Sequence, residues 1–240
     1  MIKASLFGAN AILLKWHRPL DQELFCEILA CKMKIESMYG ERVQDLVLGY
    51  DSITIFVKPE YLPERMHWID SILKWKLGSI QPGRSVLQWE VPVCYDLRFG
   101  IDLIEMSAKI GLSTDEIIQI HQSTVYQVYF IGFLPGFLYL GGLDGRIAFP
   151  RREEPRMTIA KGSVAIGGSQ TGIYPNASPA GWNVIGHTPL NMFDIASEKP
   201  VWASSGDLIS FKSVSVDEHG EIAREVERGV YQIPSFLTHA

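Results

Sequence analysis

The residues best suited to chemistry crowd between Val128 and Asp194. Gly132-Phe133-Leu134-Pro135-Gly136-Phe137-Leu138-Tyr139-Leu140-Gly141-Gly142 is followed by Pro150-Arg151-Arg152, Pro155-Arg156 and Lys161-Gly162-Ser163-Val164. Then come Gly168-Ser169-Gln170-Thr171-Gly172-Ile173-Tyr174-Pro175, Ser178-Pro179-Ala180-Gly181-Trp182, Ile185-Gly186-His187-Thr188-Pro189-Leu190 and Phe193-Asp194. Rings on rigid turns give a ligand apolar walls, glycines let backbone approach it, and prolines hold the loops in shape. Phe133, Pro135, Phe137, Tyr139, Tyr174 and Trp182 are the candidate walls, on loops of the kind that carry binding residues. The competing reading is that the Gly-Pro turns close sheet corners and the rings are core, the commoner fate of aromatics. Composition alone favours that reading slightly.

The polar residues divide in the same way. Arg151, Arg152 and Arg156 form a local cation cluster in an acidic protein, and such clusters bind anions unless they belong to a solvated turn. Gln170 and Thr171 sit between glycines and can hydrogen-bond a polar ligand. His121 can serve as a general acid or base, because only His titrates near neutrality unperturbed, or as a structural cation at a helix C-terminus. His121 and Gln170 are the candidate catalytic residues; Arg151, Arg156 and Thr171 are candidate substrate contacts. Cys94 reads as a buried thiol.

Other chemistries are excluded by spacing. No G-x-x-x-x-G-K-[ST] loop is present, and no G-x-G-x-x-G follows a strand. Gly167-Gly168-Ser169-Gln170-Thr171 fails the G-x-S-x-G elbow at its last position. The histidines and cysteines show no metal-ligand spacing, so no metal site is expected. Lys32-Met33-Lys34 superficially matches a biotinyl-lysine site, but helical periodicity surrounds it where a biotin site needs an exposed hairpin. No biotin is expected on this chain.

The elements that must position these residues fall into two regions. Ala11–Trp16 reads as a strand; 21–38 reads as a helix, with Leu24, Ile28, Ile35 and Met38 at helical spacing and Gly40 as a stop signal. Asp45–Leu48 and Ser52–Val57 form a hairpin pattern around Gly49-Tyr50-Asp51. Tyr61–Trp75 reads as a second helix, and Ser85–Val93 as a strand after the turn Gln81-Pro82-Gly83. That order, β-α-β-β-α-β, predicts a ferredoxin-like α+β domain over 1–88. The second domain, 89–240, opens with helices at 102–110 and 114–121, the latter started by a Ser113/Glu116 capping box. A β-prone run, Val125–Ile131, and many short β segments between turns then predict a barrel or sandwich. The tail from Val214 is expected to add little to the core.

The bulk numbers agree with a globular chain. It has 240 residues, 47% apolar and 20% charged, with net charge −5 and pI near 5.7. Nothing in that charge suggests nucleic acid or anionic lipid as a partner. No apolar run reaches the about 18 residues of a membrane span, Met1 to Lys15 lacks a signal-peptide layout, and three cysteines are a sparse, odd set typical of a reducing compartment. A cytoplasmic protein is expected.

The stretch from Glu90 to Asp194 resembles the family of allophanate hydrolase subunit 1, which includes the B subunit of 5-oxoprolinase and a sporulation histidine-kinase inhibitor. It is similar to the matching half of the carboxyltransferase domain of urea carboxylase. The resemblance rests on the G-F-x-P-G-F-x-Y-L-G-G block at 132–142 and the Q-T-G-x-Y-P block at 170–175, in the expected order; Val43–Pro59 agrees more loosely. It implies a cyclophilin-like β-barrel for the second domain and matches His121 to a histidine that the family often carries. Lys161 stands where the family usually has Ala, Ala180 where it has Gly, and His187 where it has Arg. That last change removes a permanent cation and bidentate donor from a candidate substrate contact. The implied activity is ATP-dependent opening of 5-oxo-L-proline to L-glutamate, with ATP and Mg²⁺ acting at the level of a complex. The implied partners are a homologous, larger carboxyltransferase-like subunit (the C component) and a third subunit (the A component), with this chain inactive alone. The alternatives within the resemblance are inhibition of histidine-kinase autophosphorylation and an accessory role in allophanate or urea processing.

Overall fold

A computed structural model describes residues 2–75 and 85–239. These fall into two compact units, Met1–Arg84 and Ser85–Ala240, each α+β. The turn expected at Gln81-Pro82-Gly83 lies outside the described residues.

In the first unit, strands β1 (Ile2–Phe7) and β2 (Ala11–Trp16) precede helix α1 (Gln22–Tyr39). Strands β3 (Val43–Leu48) and β4 (Ser52–Val57) and helix α2 (Arg65–Ile72) follow. The sheet order is β1-β2-β4-β3, antiparallel throughout. Helix α1 starts where the Asp21 carboxylate accepts from Leu24 N–H at 2.7 Å, which satisfies an orphan amide of the first turn. Its buried stripe is Leu24, Phe25, Ile28, Leu29, Cys31, Ile35 and Tyr39, while Met38 is exposed. Lys32 and Lys34 lie inside this helix.

The expected order β-α-β-β-α-β is corrected to β-β-α-β-β-α. Strand β1 had no period-2 apolar signal because it is an edge strand with most of its residues exposed. It occupies the outer position that the strand at 85–93 was expected to fill. The 85–93 strand belongs instead to the second unit.

There, β5 (Ser85–Val93) leads to helices α3 (Leu103–Ile110) and α4 (Thr114–Ser123), then β6 (Val125–Ile131) and β7 (Leu138–Gly141). Next are β8 (Arg156–Ile159), β9 (Ser163–Gly167), β10 (Gln170–Ile173), β11 (Ser178–Ala180) and β12 (Asn183–His187). Strand β13 (Leu208–Ser213), helix α5 (Val216–Glu227) and strand β14 (Ser235–His239) complete it. Eight strands pair in the order β12-β9-β10-β7-β6-β13-β5-β14, and β8 with β11 form a separate ribbon. All pairs are antiparallel except β13 with β5.

The expected closed barrel is corrected to an open, mixed sheet. Strand β14 takes the edge of β5 from Ser85 to Trp89. Only the chain beyond Val93 is left to meet β12, through one Cys94–His187 bridge with hydrogen bonds of 2.9 and 3.0 Å. The inner face carries the main core, including Val91, Tyr126, Val128, Leu138, Leu140, Ile166, Ile185 and Ile209. The capping box of α4 forms as expected, with both Ser113–Glu116 bonds made. The tail is not idle: α5 has its own capping box at Ser215/Glu218, it packs Ile222 and Val226 on the core, and β14 extends the sheet. Among the described residues no helix is long and apolar enough to cross a membrane.

Candidate functional site

His121 and Thr171 come together, but away from solvent. His121 lies fully buried in the last turn of α4, with its Nδ1 2.8 Å from the Tyr95 hydroxyl and its Nε2 2.9 Å from Thr171 Oγ1. Thr171 Oγ1 donates to the Ala165 carbonyl at 3.2 Å, so it accepts from His121 Nε2–H. Nδ1 is then left to accept from Tyr95 O–H. The ring stacks on Phe211 at 4.6 Å. Burial pushes the His121 pKa down to about 3 and that of Tyr95 well above its usual value, because low dielectric disfavours either charged form. Every polar atom of this row is satisfied while neutral. It ties α4 to β10 and the Tyr95 loop, and it offers no open face to a substrate. Gln170 adjoins Thr171 on β10, so its side chain points to the opposite face; it is half-buried.

The aromatic residues form a second group. Phe137 meets Tyr174 at 4.9 Å and Trp182 at 5.5 Å, both edge-on, and Tyr139 meets Trp182 at 6.0 Å. Phe137, Tyr174 and Trp182 are buried and Tyr139 is half-buried. Two of the glycines in the motif are required by packing, Gly167 by the Trp182 ring and Gly172 by the Leu138 carbonyl, 2.8 Å from where its Cβ would lie, and by Phe137. A Cβ on Gly167 would lie 2.5 Å from the Trp182 ring, and one on Gly172 3.0 Å from Phe137 Cζ. Phe137, Tyr174 and Trp182 therefore form a packed seat, against which the exposed Phe133 and Arg151 side chains rest.

Two residues stand out there. Phe133 is the only described non-glycine residue with positive φ, at 66°. Leu134 N–H bonds back to Gly132 O at 2.8 Å, a tight γ-type turn of the strained positive-φ kind. The Phe133 ring is 64% exposed and leans edge-on against Phe137 at 5.8 Å. Pro135 is also exposed at this tip. Such strain persists where the surroundings over-determine it and marks functional loops. Here Gly136, at φ 85°, packs so closely on Met192 O that a Cβ would approach to 2.6 Å. Arg151 lies 5.6 Å over the Trp182 ring, exposed, and no described carboxylate pairs with it.

Arg152 and Arg156 were expected to share a ligand with Arg151, but their charge is spent inside the protein. Arg156 grips Asp102 with two bonds of 2.8 and 2.6 Å, and Arg152 bonds Asp102 at 3.1 Å and Glu105 at 3.0 Å. Asp102 is buried at the start of α3 and also accepts from Val184 N–H at 2.7 Å. A buried carboxylate needs such partners. Bonds from Lys109 and then Arg152 hold the Glu105 pKa down to about 2.

His187 lies apart from the aromatic seat. Its Nε2–H donates to Lys161 O at 2.7 Å, and its Nδ1 faces His219 Nε2 at 2.8 Å. Phe99 stacks on both rings, at 5.1 and 4.7 Å. Burial lowers both histidine pKa values. Sequence reading missed Asp102, Tyr95 and His219 as partners. The Ser215-x-x-Glu218 spacing was the available signal for the helix that delivers His219. Among the described residues no group of acidic, His or Cys side chains is arranged to hold a metal ion.

Comparison with known proteins gives consistent results. The carboxyltransferase domain family, subdomains C and D, matches residues 2–203. The protein named as the B subunit of 5-oxoprolinase in Escherichia coli O157:H7 is 36% identical over 209 residues, 86% of this chain and 93% of that protein. The crystal structure of TTHA0988 superposes with TM-score 0.72 at 27% identity over 90% of this chain. The chain spans 40% of that longer protein. The K. lactis urea amidolyase superposes with TM-score 0.77 over 100% of this chain and 16% of its own. At 16% identity that likeness concerns the fold alone.

Proposed function

The chain belongs to the carboxyltransferase domain family, subdomains C and D, and on that premise we propose that it acts as the B subunit of an ATP-dependent 5-oxoprolinase that converts 5-oxo-L-proline to L-glutamate. One observation carries this: 36% identity to a protein of that name, extending over 93% of its length. A lactam amide is stabilised by resonance, so its hydrolysis is suited to coupling with ATP. Transfer of the γ-phosphoryl group of ATP to the amide oxygen, with release of ADP, makes the carbonyl carbon electrophilic. Water adds to it, and the C–N bond breaks with the ring nitrogen leaving as the amine. A second water hydrolyses the acyl phosphate to the carboxylate and phosphate. ATP and Mg²⁺ act at the level of the complex, whose other members are the larger carboxyltransferase-like component and the third component. The setting is cytoplasmic. The two units, divided near residue 85, correspond to a ferredoxin-like sheet whose outer strand comes from the N-terminus and a cyclophilin-like sheet left open.

Within this chain the substrate side is the tip above the aromatic seat. Phe133 and Pro135 give it an apolar face and Arg151 a cation for the carboxylate, with the Gln170 amide as a polar contact. His121, Thr171 and Arg156 support this surface from within and do not touch the ligand. The test is genetic: delete the gene for this chain in its host and supply 5-oxoproline as nitrogen source. Accumulation of 5-oxoproline, relieved by restoring the gene, is expected. Unchanged 5-oxoproline use in the deletion strain would overturn the assignment.

A further inference from the structure

The sheet of the second unit ends at β14, whose outer edge has no partner strand among the described residues. Which of its groups face outward follows from one bond. Glu90 N–H donates to Pro234 O at 2.9 Å, and the register sets Ser235 against Trp89 and Phe236 against Gln88, so Pro234 and Glu90 are a hydrogen-bonded pair. Such pairs alternate with non-bonded ones along an antiparallel ladder. Phe236 and Thr238 therefore turn their N–H and C=O groups toward β5, while Ser235, Leu237 and His239 turn theirs away from it. Outward backbone groups of this kind are a template for another strand.

This edge also lacks the protection that the others carry. Proteins blunt sheet edges with charges, bulges and irregular pairing. Among the described strands, β1 carries Lys3, and β3 carries Asp45 beside a register shift. Strand β12 is irregular between Val184 and Gly186 and is bridged by Cys94, and the β8–β11 ribbon shifts between Ser178 and Ala180. Strand β14 keeps an unbroken register, and residues 235–238 carry no charge. Phe236 is 51% and Leu237 73% exposed, on opposite faces of the strand.

We propose that β14 pairs antiparallel with β14 of a second copy of this chain, about a twofold axis at Leu237. The strand is complementary to itself in that register. Leu237 stands opposite its own counterpart, and the outward N–H and C=O groups of each strand bond those of the other. Phe236 comes opposite the counterpart of Thr238 in a non-bonded pair, where side chains are closest, and an aromatic ring against a β-branched residue is a favourable cross-strand combination. Because residues 235–238 carry no charge, the twofold sets no like charges of theirs face to face. A strand of five residues buries less than a standard interface, so the dimer is a transient one. The inference goes beyond the oxoprolinase assignment and needs no other component.

Sedimentation velocity on the full chain tests it, at concentrations from ~1 to ~100 µM. The wild type is expected to pass from a monomer of 27.0 kDa toward the dimer over that range. Leu237→Asp and Leu237→Lys, at an exposed position, each set like charges opposite one another on the twofold and are expected to weaken the dimer about tenfold or more. An equimolar mixture of the two variants is expected to dimerise again, because residue 237 then faces the opposite charge. Leu237→Pro removes an N–H that β5 does not use, which edge strands tolerate; it is expected to stay monomeric while melting near the wild type, and Leu237→Val to keep the dimer. Should the proline variant melt early, the charge pair decides alone. A wild type monomeric throughout, a mixture no better than either charged variant by itself, or a dimer untouched by a well-folded Leu237→Pro would each overturn the proposal. The readout is the mass of this chain alone, so failure here leaves the oxoprolinase assignment standing, and absence of turnover in a complex leaves this dimer standing.

Discussion

Acid should destabilise the second unit through His121. The ring is fully buried, its two nitrogens are bonded to Tyr95 and Thr171, and its pKa is lowered from 6.5 to about 3 by desolvation. The unfolded chain takes up a proton as pH falls through about 6.5, and the folded chain does not until about 3. Stability is therefore full above pH 6.5 and is lost progressively as pH falls toward 3. At pH 5 the unfolded histidine is almost wholly protonated and the folded one neutral, so the loss relative to pH 7.5 is about 2 kcal/mol. That figure depends on the unfolded pKa and hardly on the folded one, so long as the latter stays below about 4. His187 and His219 are depressed too and add losses of the same sign. The His121 part is isolated by comparing urea unfolding at pH 7.5 and pH 5 for the wild type and for His121→Gln. The variant is less stable at both values but should lose about 2 kcal/mol less than the wild type across the interval, equivalent to about 4–8 °C in Tm for a unit of this size. Equal losses in the two proteins would mean that His121 titrates normally when folded, and the buried neutral row would be wrong.

Three other outcomes follow from the geometry. Arg156→Ala removes the bidentate partner of buried Asp102 while leaving Arg152 and Val184 N–H in place. It should cost about 2–3 kcal/mol by denaturant unfolding, whereas Arg151→Ala should stay within about 0.5 kcal/mol; a silent Arg156→Ala contradicts the network. Phe133→Gly relieves the positive φ and loses the ring contact with Phe137, effects of about 1 kcal/mol each that nearly cancel. Its melting temperature should barely move while activity of the assembled complex falls about tenfold or more, and unchanged activity would reduce the tip to a structural turn. Limited proteolysis should spare 85–93 at first, because β5 is paired on both edges; a first cut inside 85–93 would refute that pairing.

Elements with local signals are readable in the sequence, and the remainder is hidden for identifiable reasons. The capping box that opens α4 is legible because it lies within one turn and depends on neighbours in sequence. Strand β1 is hidden because an exposed edge strand carries no alternation. Helix α5 is hidden because only His219 on it is buried, so its apolar stripe is thin despite its capping box. The partners of β5 are β13 and β14, more than a hundred residues away, and no local pattern encodes such a pairing. At the site, the clustering of Phe137, Tyr139, Tyr174 and Trp182 is legible as a group, but whether rings serve as seat or surface is decided by packing around Gly167 and Gly172. The arginine cluster is legible as charge. That Asp102 absorbs two of its three members is not, since Asp102 is about fifty residues away along the chain.

The central claim is that this chain is a required member of an ATP-dependent 5-oxoprolinase complex. Its most direct test is a drop-out reconstitution from the three purified components, following L-glutamate formed from 5-oxo-L-proline with ATP and Mg²⁺. Turnover is predicted for the complete mixture, none for this chain by itself, and none when only this chain is withheld. Full turnover without it, or no turnover with all three present, would contradict the claim.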